Sequence, residues 1–291
     1  MNFRNVIYLI FLLLLIISCK KEIDNSLTET EIEQGVKTVL LIGTDSAVNL
    51  VSSENGFMQN KSMQIILPDE GRIIPGMVEW YMLNAEKYPR FQKLKIDLGY
   101  SYERTLLSLN MAAGRTVSEM DTLLKMQIRS FQYSNGLSLV IGKEKESDLV
   151  IDSVAITNCF KRESSDSLYK SYYNSIIREL DKENVGSDTS CNIYWTILLD
   201  KFNLIADNAR NILIEDSIVG GVLTNDKKTM LRRFVQLPDT TIIANYLTNS
   251  VLDRFFYKIG NIEKQIRQNP SFWDGKTNGG IIQRVFGNRS K

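Results

Sequence analysis

Hydrophobic and polar positions obey two different rules along this 291-residue chain. From Val6 to Ile17 the apolar run is continuous. Beyond Thr28, apolar residues recur every three or four positions, the spacing of amphipathic helices. Thr28-Glu29-Thr30-Glu31 reads as a capping box, in which the threonine caps a backbone N–H and the glutamate reaches back. From there Ile32, Val36, Val39, Leu40, Ala47 and Leu50 predict a first helix, which Asn55-Gly56 ends. Gly35 and Gly43 interrupt it at about 1 kcal/mol each against alanine, which implies close approach by a neighbouring segment. Leu67-Pro68-Asp69-Glu70 opens a short helix that Pro75-Gly76 is expected to break or kink.

Further helices are predicted over 101–116, 118–132, 167–183 and 190–207. In the third of these, Leu168, Tyr169, Tyr172, Tyr173, Ile176, Ile177 and Leu180 mark one apolar face. The clearest helix covers 241–268, where Ile243, Leu247, Leu252, Phe255, Phe256, Ile259, Ile262 and Ile266 form a core-facing stripe. Glu263 and Arg267 are expected to pair across one turn on its polar side. Gly136 to Gly142, with Leu137, Leu139, Val140 and Ile141, reads either as a short strand or as a buried helical turn. Lys143 to Asp148 follows as a charged surface loop. After Pro270, Gly275, Gly279 and Gly280 imply a flexible joint, and Ile281, Ile282, Val285 and Phe286 a patch that docks the C-terminus. The expected fold is mostly α, a single multi-helix domain over 28–291, with one short β element near 137–141 as the alternative for that stretch.

The leading apolar run is too short for a bilayer, which needs about 20 such residues. With Arg4 before it and Ser18 after it, the segment has the plan of a cleaved export signal over 1–18. Ile16-Ile17-Ser18-Cys19 resembles the bacterial lipobox, whose cysteine receives diacylglycerol and becomes the new N-terminus. The resemblance implies acylation, palmitate included, at Cys19, and two or more acyl chains anchor stably where one is marginal. Residues 19–27 then read as a short tether. Lys20 is not the aspartate that retains lipoproteins in the inner membrane, so an outer-membrane location is expected. The lysines and acids after Cys19 also resemble the surface-export signal of some bacterial lipoproteins, so periplasmic-facing and cell-surface orientations both stand.

Composition removes several chemistries. The chain has no histidine, which excludes Ser-His-Asp and Cys-His catalysis and histidine-bound zinc. Cys159 and Cys191 are the only other cysteines, too few for a four-cysteine metal site. They are candidates for a disulfide in an oxidising envelope or for two buried thiols. No phosphate-loop, dinucleotide or calcium-loop motif is present. No cofactor and no metal are therefore expected. A net charge of +1 offers none of the clustered positive charge on which nucleic-acid affinity depends. Carboxylate neighbours Glu31 and Glu33, Asp69 and Glu70, and Glu215 and Asp216 remain as candidate acid–base pairs. Arg232-Arg233 could meet a lipid phosphate or stand on the surface. Tyr169, Tyr172, Tyr173 and Trp195 could line an apolar cavity, with core packing as the simpler reading.

The order of several segments resembles the bacterial envelope proteins of domain-of-unknown-function family 4197. They are Ile32-x-x-Gly35-x-Lys37-x-x-Leu40-x-x-Gly43-Thr44-x-x-Ala47-Val48, then Asn55-Gly56-Phe57 with Ile65-Ile66-Leu67-Pro68, then Ser108-Leu109-Asn110-Met111-Ala112-Ala113. Leu252-Asp253-x-x-Phe256, Ile266-Arg267-x-Asn269-Pro270 and Val285-Phe286-Gly287 complete it. The chain departs from the family where Ile66 replaces a proline, Gly114 replaces a glutamate, and Trp273-Asp274-Gly275 are inserted. The resemblance implies a mostly helical, exported protein of one continuous unit and carries no established activity. Asn110, Asp253 and Arg267 are the matching polar positions to inspect. The leading expectation is a lipid-anchored, non-catalytic interaction or structural module that meets the membrane through Cys19 and an envelope protein as partner. A helical module for a lipid or other apolar ligand is the alternative, and a histidine-free carboxylate hydrolase the third reading.

Overall fold

In the computed structural model, residues 26–53, 55–84, 89–143, 150–184, 187–237 and 242–287 are described, with side chains at all of these except 75, 78–84 and 89–96. The leader, Cys19 and the charged loop from residue 144 onward lie outside them. Eleven α-helices occur among the described residues: α1 (Glu29–Val51), α2 (Gly56–Gln59), α3 (Asp69–Asn84), α4 (Pro89–Arg115), α5 (Val117–Ser130) and α6 (Gly136–Val140). They continue with α7 (Ala155–Asp181), α8 (Cys191–Ile218), α9 (Asn225–Leu231), α10 (Ile243–Gln268) and α11 (Gly279–Phe286). A 3-10 turn, Pro270–Trp273, separates the last two. No strand is found among the described residues, only a lone antiparallel bridge between Glu183 and Ser190.

The capping box forms as read. Thr28 Oγ1 accepts from Glu31 N at 3.2 Å, and Glu31 Oε2 accepts from Thr28 N at 2.8 Å. From this start α1 runs through the centre of the bundle, packing on α10, α5, α11 and α6. α10 also packs along α7, while α4 and α8 form a second antiparallel layer joined to α7. The stripes meet as apolar periodicity requires. Val36, Val39, Leu40 and Ala47 of α1 are fully buried with Leu247, Val251, Phe255, Ile259 and Ile266 of α10 and Phe160, Leu168, Tyr172 and Ile176 of α7. Each such large side chain contributes about 1.5–3 kcal/mol on burial.

The two α1 glycines make the close approach that their position implied. A Cβ on Gly43 would lie 2.9 Å from Ile259 Cα, and one on Gly35 would lie 2.8 Å from the Val285 methyls. Only the missing side chains let α10 and α11 come this near to α1.

Several boundaries differ from the sequence reading. Residues 136–140 form helix α6, not a strand, because Asn135 Oδ1 caps Ser138 N and the short run has no partner strand. Pro75 does not break α3, which continues to Asn84. Proline removes the hydrogen bond to the Gly71 carbonyl, and one lost bond is less than the helix retains on both sides. α4 and α7 begin about twelve residues earlier than predicted, at Pro89 and Ala155, and α8 extends to Ile218. In α7 the early turns bury Ala155, Ile156, Cys159 and Phe160, whose spacing is interrupted in sequence by charged residues.

Replacing Gly43 by alanine is expected to destabilise the protein. Overpacking against a backbone atom costs about 1–3 kcal/mol, more than the roughly 1 kcal/mol gained in helix propensity. Gly114, with nothing within 4 Å of a built Cβ, is the contrast. Gly114→Ala is expected to stabilise by about 0.5–1 kcal/mol. Urea midpoints of the two variants should move in opposite directions.

Candidate functional site

The most heavily engaged polar group in the core is Glu263, which is 0 % exposed. Its carboxylate accepts from Ile156 N at 3.0 Å, Thr157 N at 2.8 Å and Thr157 Oγ1 at 2.7 Å, capping the first turn of α7. Arg267, one turn on, donates to it through Nε at 2.9 Å and Nη2 at 2.6 Å. The same guanidinium donates to the carbonyls of Val140 at 2.7 Å and Leu139 at 2.7 Å, and lies 5.5 Å from the Phe286 ring. One ion pair thus joins α10, the start of α7, the end of α6 and α11. Burial pushes the Glu263 carboxyl up from its ordinary value, against the charge of Arg267 and the Thr157 hydrogen bond. The predicted pairing of Glu263 with Arg267 is present, but in the core and not on a polar surface. Ile259, Glu263 and Ile266 lie on one stripe at helical spacing, a signal available in the sequence.

Beside this node lies an open cleft of about 720 Å³ between α7 and α10. Thr157 and Gly260 reach its floor, Phe256 and exposed Tyr257 give it aromatic walls, and Lys161, Asp253, Arg254 and Lys264 surround it. Lys161 Nζ meets Asp253 Oδ1 at 2.7 Å and lies 5.6 Å from the Phe256 ring. Arg254 and Lys264 make no ion pair among the described residues. The cleft carries net positive charge at a polar, solvent-open surface.

The three positions singled out from the sequence do not converge. Arg267 belongs to the buried node, and Asp253 to the rim of the cleft. Asn110 is a buried clamp elsewhere: its Oδ1 accepts from Ile65 N at 2.9 Å, and its Nδ2 donates to Ile65 O at 2.7 Å and Leu106 O at 2.8 Å. It fastens the extended Ile65 segment to α4 as a strand partner would.

The carboxylate pairs have structural roles. Glu31 holds the capping box and accepts from Arg284 Nε at 2.9 Å, while Glu33 pairs with Lys37 at 2.7 Å. Asp69 pairs with Arg72. Asp216, buried, accepts from Leu223 N at 2.7 Å and Lys228 Nζ at 2.8 Å, closing the turn into α9, while Glu215 faces outward. Glu29 and Glu33 share an open groove with Tyr133, Asn135 and Leu137, but both are exposed. A second buried link went unread in the sequence: Arg115 donates to Glu179 Oε2 at 2.8 Å and to its carbonyl at 2.6 Å, tying α4 to α7. Burial alone would raise the Glu179 carboxyl, but Lys182 and Arg115 outweigh it and hold it below its ordinary value.

Cys159 and Cys191 are both buried and are not joined in the disulfide considered from the sequence, and Arg162 Nη2 donates to Cys159 Sγ at 3.4 Å. Burial pushes the Cys191 thiol up to about 12. The aromatic stripe packs against its neighbours. Tyr172 is fully buried with its hydroxyl on Thr116, Tyr169 stacks on Tyr173 at 5.5 Å and bonds Asn245 at 2.7 Å, and Trp195 is buried without a partner for its Nε1. None of these four aromatics lines the α7–α10 cleft or the two grooves beside α6. Arg232 and Arg233 stand exposed at the end of α9.

Among the described residues no helix is long and apolar enough to cross a membrane, and no cluster of three metal-type ligands occurs. Fold and site together define an all-helical single domain whose buried charges serve as links between helices. The chain belongs to the family described as Protein of unknown function (DUF4197), whose profile matches residues 26–287. Neither the curated proteins nor the solved structures contain a match to it.

Removing Arg267 leaves a buried, uncompensated carboxylate, so Arg267→Ala is expected to cost about 3–5 kcal/mol. Replacing Glu263 as well by methionine relieves the orphaned charge but strips the acceptor from the Ile156 and Thr157 N–H groups, so the losses of the two single changes are expected to exceed that of the double when summed. Equilibrium unfolding in urea of both single variants and the double gives this coupling, and strictly additive losses would contradict the charge account.

Glu31 provides a pH test. The Arg284 hydrogen bond, then that of Thr28, holds its carboxyl at about 2 against an ordinary 4.5. A depressed folded value means that the link is intact at neutral pH and is lost as pH falls from about 4.5 to 2. Amide exchange at the start of α1 and in α11 should accelerate together in that window.

Proposed function

We propose that this chain is a lipid-anchored bacterial envelope protein whose helical body is a non-catalytic interaction module. The observation that carries the reading is the leader: a twelve-position apolar run, Val6 to Ile17, followed by Ser18-Cys19. Thioether-linked diacylglycerol on Cys19 with a further acyl chain gives the multiple hydrophobic tails that stable anchoring needs. Lys20 at the following position favours the outer membrane. Membership of a family of unknown function supports no enzyme assignment.

The body supports an interaction role by where its charges stand. Glu263, Arg267, Glu179, Arg115, Asp216 and Asn110 are consumed in holding elements together. The α7–α10 cleft keeps exposed charge and an exposed tyrosine, the composition of a polar contact surface, with tyrosine and arginine the side chains that most often anchor interfaces. The envelope partner is proposed to contact this face.

Labelling with radioactive palmitate tests the anchor: the wild-type chain is expected to be labelled and to float with membranes, and Cys19→Ala to be neither. An unlabelled wild-type chain with an intact leader overturns it. In the same cells, a photo-crosslinking residue at Tyr257 should give a discrete adduct that Arg254→Glu with Lys264→Glu abolishes without a change in melting temperature. Absence of any adduct counts against the module.

A further inference from the structure

We propose that α6 and the Val150-Ile151 turn form a membrane-contact face, pressed into the lipid surface that holds the anchor; the proposal rests on the lipid anchor proposed above. Four large aliphatic side chains are exposed within this short stretch: Leu137 at 46 %, Ile141 at 41 %, Val150 at 78 % and Ile151 at 71 %. Leu137 and Ile141 are one helical turn apart and share a face of α6 and its C-terminal cap. Their neighbours Ser138, Leu139 and Val140 point into the core and are buried. Ile151 is held beside them. Asp152 N donates to Gly142 O at 2.7 Å, and a Cβ on Gly142 would lie 2.6 Å from Ile151 Cγ2. Exposed aliphatic groups collected in one place mark a contact surface more often than isolated ones do.

The presentation is rigid. Arg267 donates to the carbonyls of both Leu139 and Val140, and Asn135 caps the other end of α6. A short helix fixed at both ends loses little freedom when its outer side chains enter a second phase.

The occupant follows from where the tether enters. A Cβ on Gly136 would lie 2.5 Å from Ile32 Cγ2, and Leu137 lines one groove with Glu29 and Ile32 of the first turn of α1. The patch therefore adjoins the point at which the chain arrives from Cys19. From Cys19 to Ser26 a fully extended chain spans at most roughly 25 Å. Whatever lies next to Ser26 is within that reach of the acylated cysteine. Of the acids beside the groove, Glu31 pairs with Arg284 and Glu33 with Lys37, which leaves exposed Glu29 as the one first-turn acid without an ion pair among the described residues. An anchor already holding the body at the surface raises the local lipid concentration, so a small patch suffices for a second contact.

The exposed aliphatics at the far end of α8, Ile214 and Ile218, with Val219 and Val222 beyond it, supply the internal control. They border α9, which packs on α8 and has no comparable connection to α1.

The test uses the acylated full-length protein, purified from its bacterial membrane and returned to vesicles of phosphatidylethanolamine and phosphatidylglycerol containing doxyl-phosphatidylcholine. Single cysteines at Leu137→Cys, Ile151→Cys and Val222→Cys carry a bimane fluorophore in a background with Cys159→Ala and Cys191→Ala, because Cys159 lines an open groove beside α6. An interfacial side chain sits about 5–10 Å into the headgroup–acyl boundary, so roughly half or more of the emission at 137 and 151 should be quenched. Emission at 222 should be unchanged. An acylated, vesicle-bound protein whose 137 and 151 reporters stay bright, or are quenched no more than 222, overturns this proposal and leaves the anchor standing. A protein whose mature N-terminus carries no acyl group overturns the anchor and this proposal with it.

Discussion

A carboxylate and a guanidinium at the foot of α10 hold together four elements that the chain brings from distant places. Glu263 takes the N–H groups of the second and third residues of α7, which would otherwise face a desolvated helix end with no acceptor. Arg267 takes two carbonyls at the end of α6, a helix of five residues with too few internal bonds to stand alone. Neither helix terminus could be buried without this pair, and neither charge could be buried without those termini. Hydrophobic contact brings α7 and α10 together, but it does not specify register. The ion pair does, because sliding α7 by one residue would leave the three hydrogen bonds from Ile156 and Thr157 to Glu263 unmade.

The segments that match the family sort in the same way. Gly43 admits Ile259, Gly35 admits Val285, Asn110 clamps Ile65, Phe57 is fully buried, and Arg267 holds α6. These are positions where one residue type solves a packing or hydrogen-bonding problem. The matched pattern is a description of the fold. Of the three polar positions singled out, Asp253 alone stands on an exposed surface, at the rim of the α7–α10 cleft.

Much of this architecture was legible from apolar spacing. The capping box at Thr28, the stripe of α10 and the docking of Ile282 and Val285 all appear where periodicity placed them. Local signals failed where long-range partners decide. Asn135 caps what could have been a strand, Pro75 sits in a helix that its neighbours sustain, and the first turns of α7 are helical because Glu263, more than a hundred residues away, satisfies them. The two buried ion pairs were hardest to read. A charged residue in a sequence is assigned to solvent by default, and Arg115 with Glu179 has no spacing that betrays the contact. Glu263 did have one, since it falls on the apolar stripe, and its i+4 partner is the arginine that makes burial tolerable.

The links at one end of the bundle bear on how a tethered body would behave. Arg284 of α11 donates to Glu31 and to the carbonyl of Ser26, and Lys37 of α1 donates to the carbonyl of Arg129 at the end of α5. The arriving chain is thus fastened to the first helix, the last helix and the middle of the sequence within its first few residues. If lipid on Cys19 holds the protein, any pull on the body enters at Ser26 and is shared among these elements before it can unwind the capping turn. A body anchored through a loose terminus would need none of this. Under the proposed lipid anchor, the concentration of stitches at Ser26–Lys37, beside α6 with its outward aliphatic side chains, would set this end of the body toward the lipid.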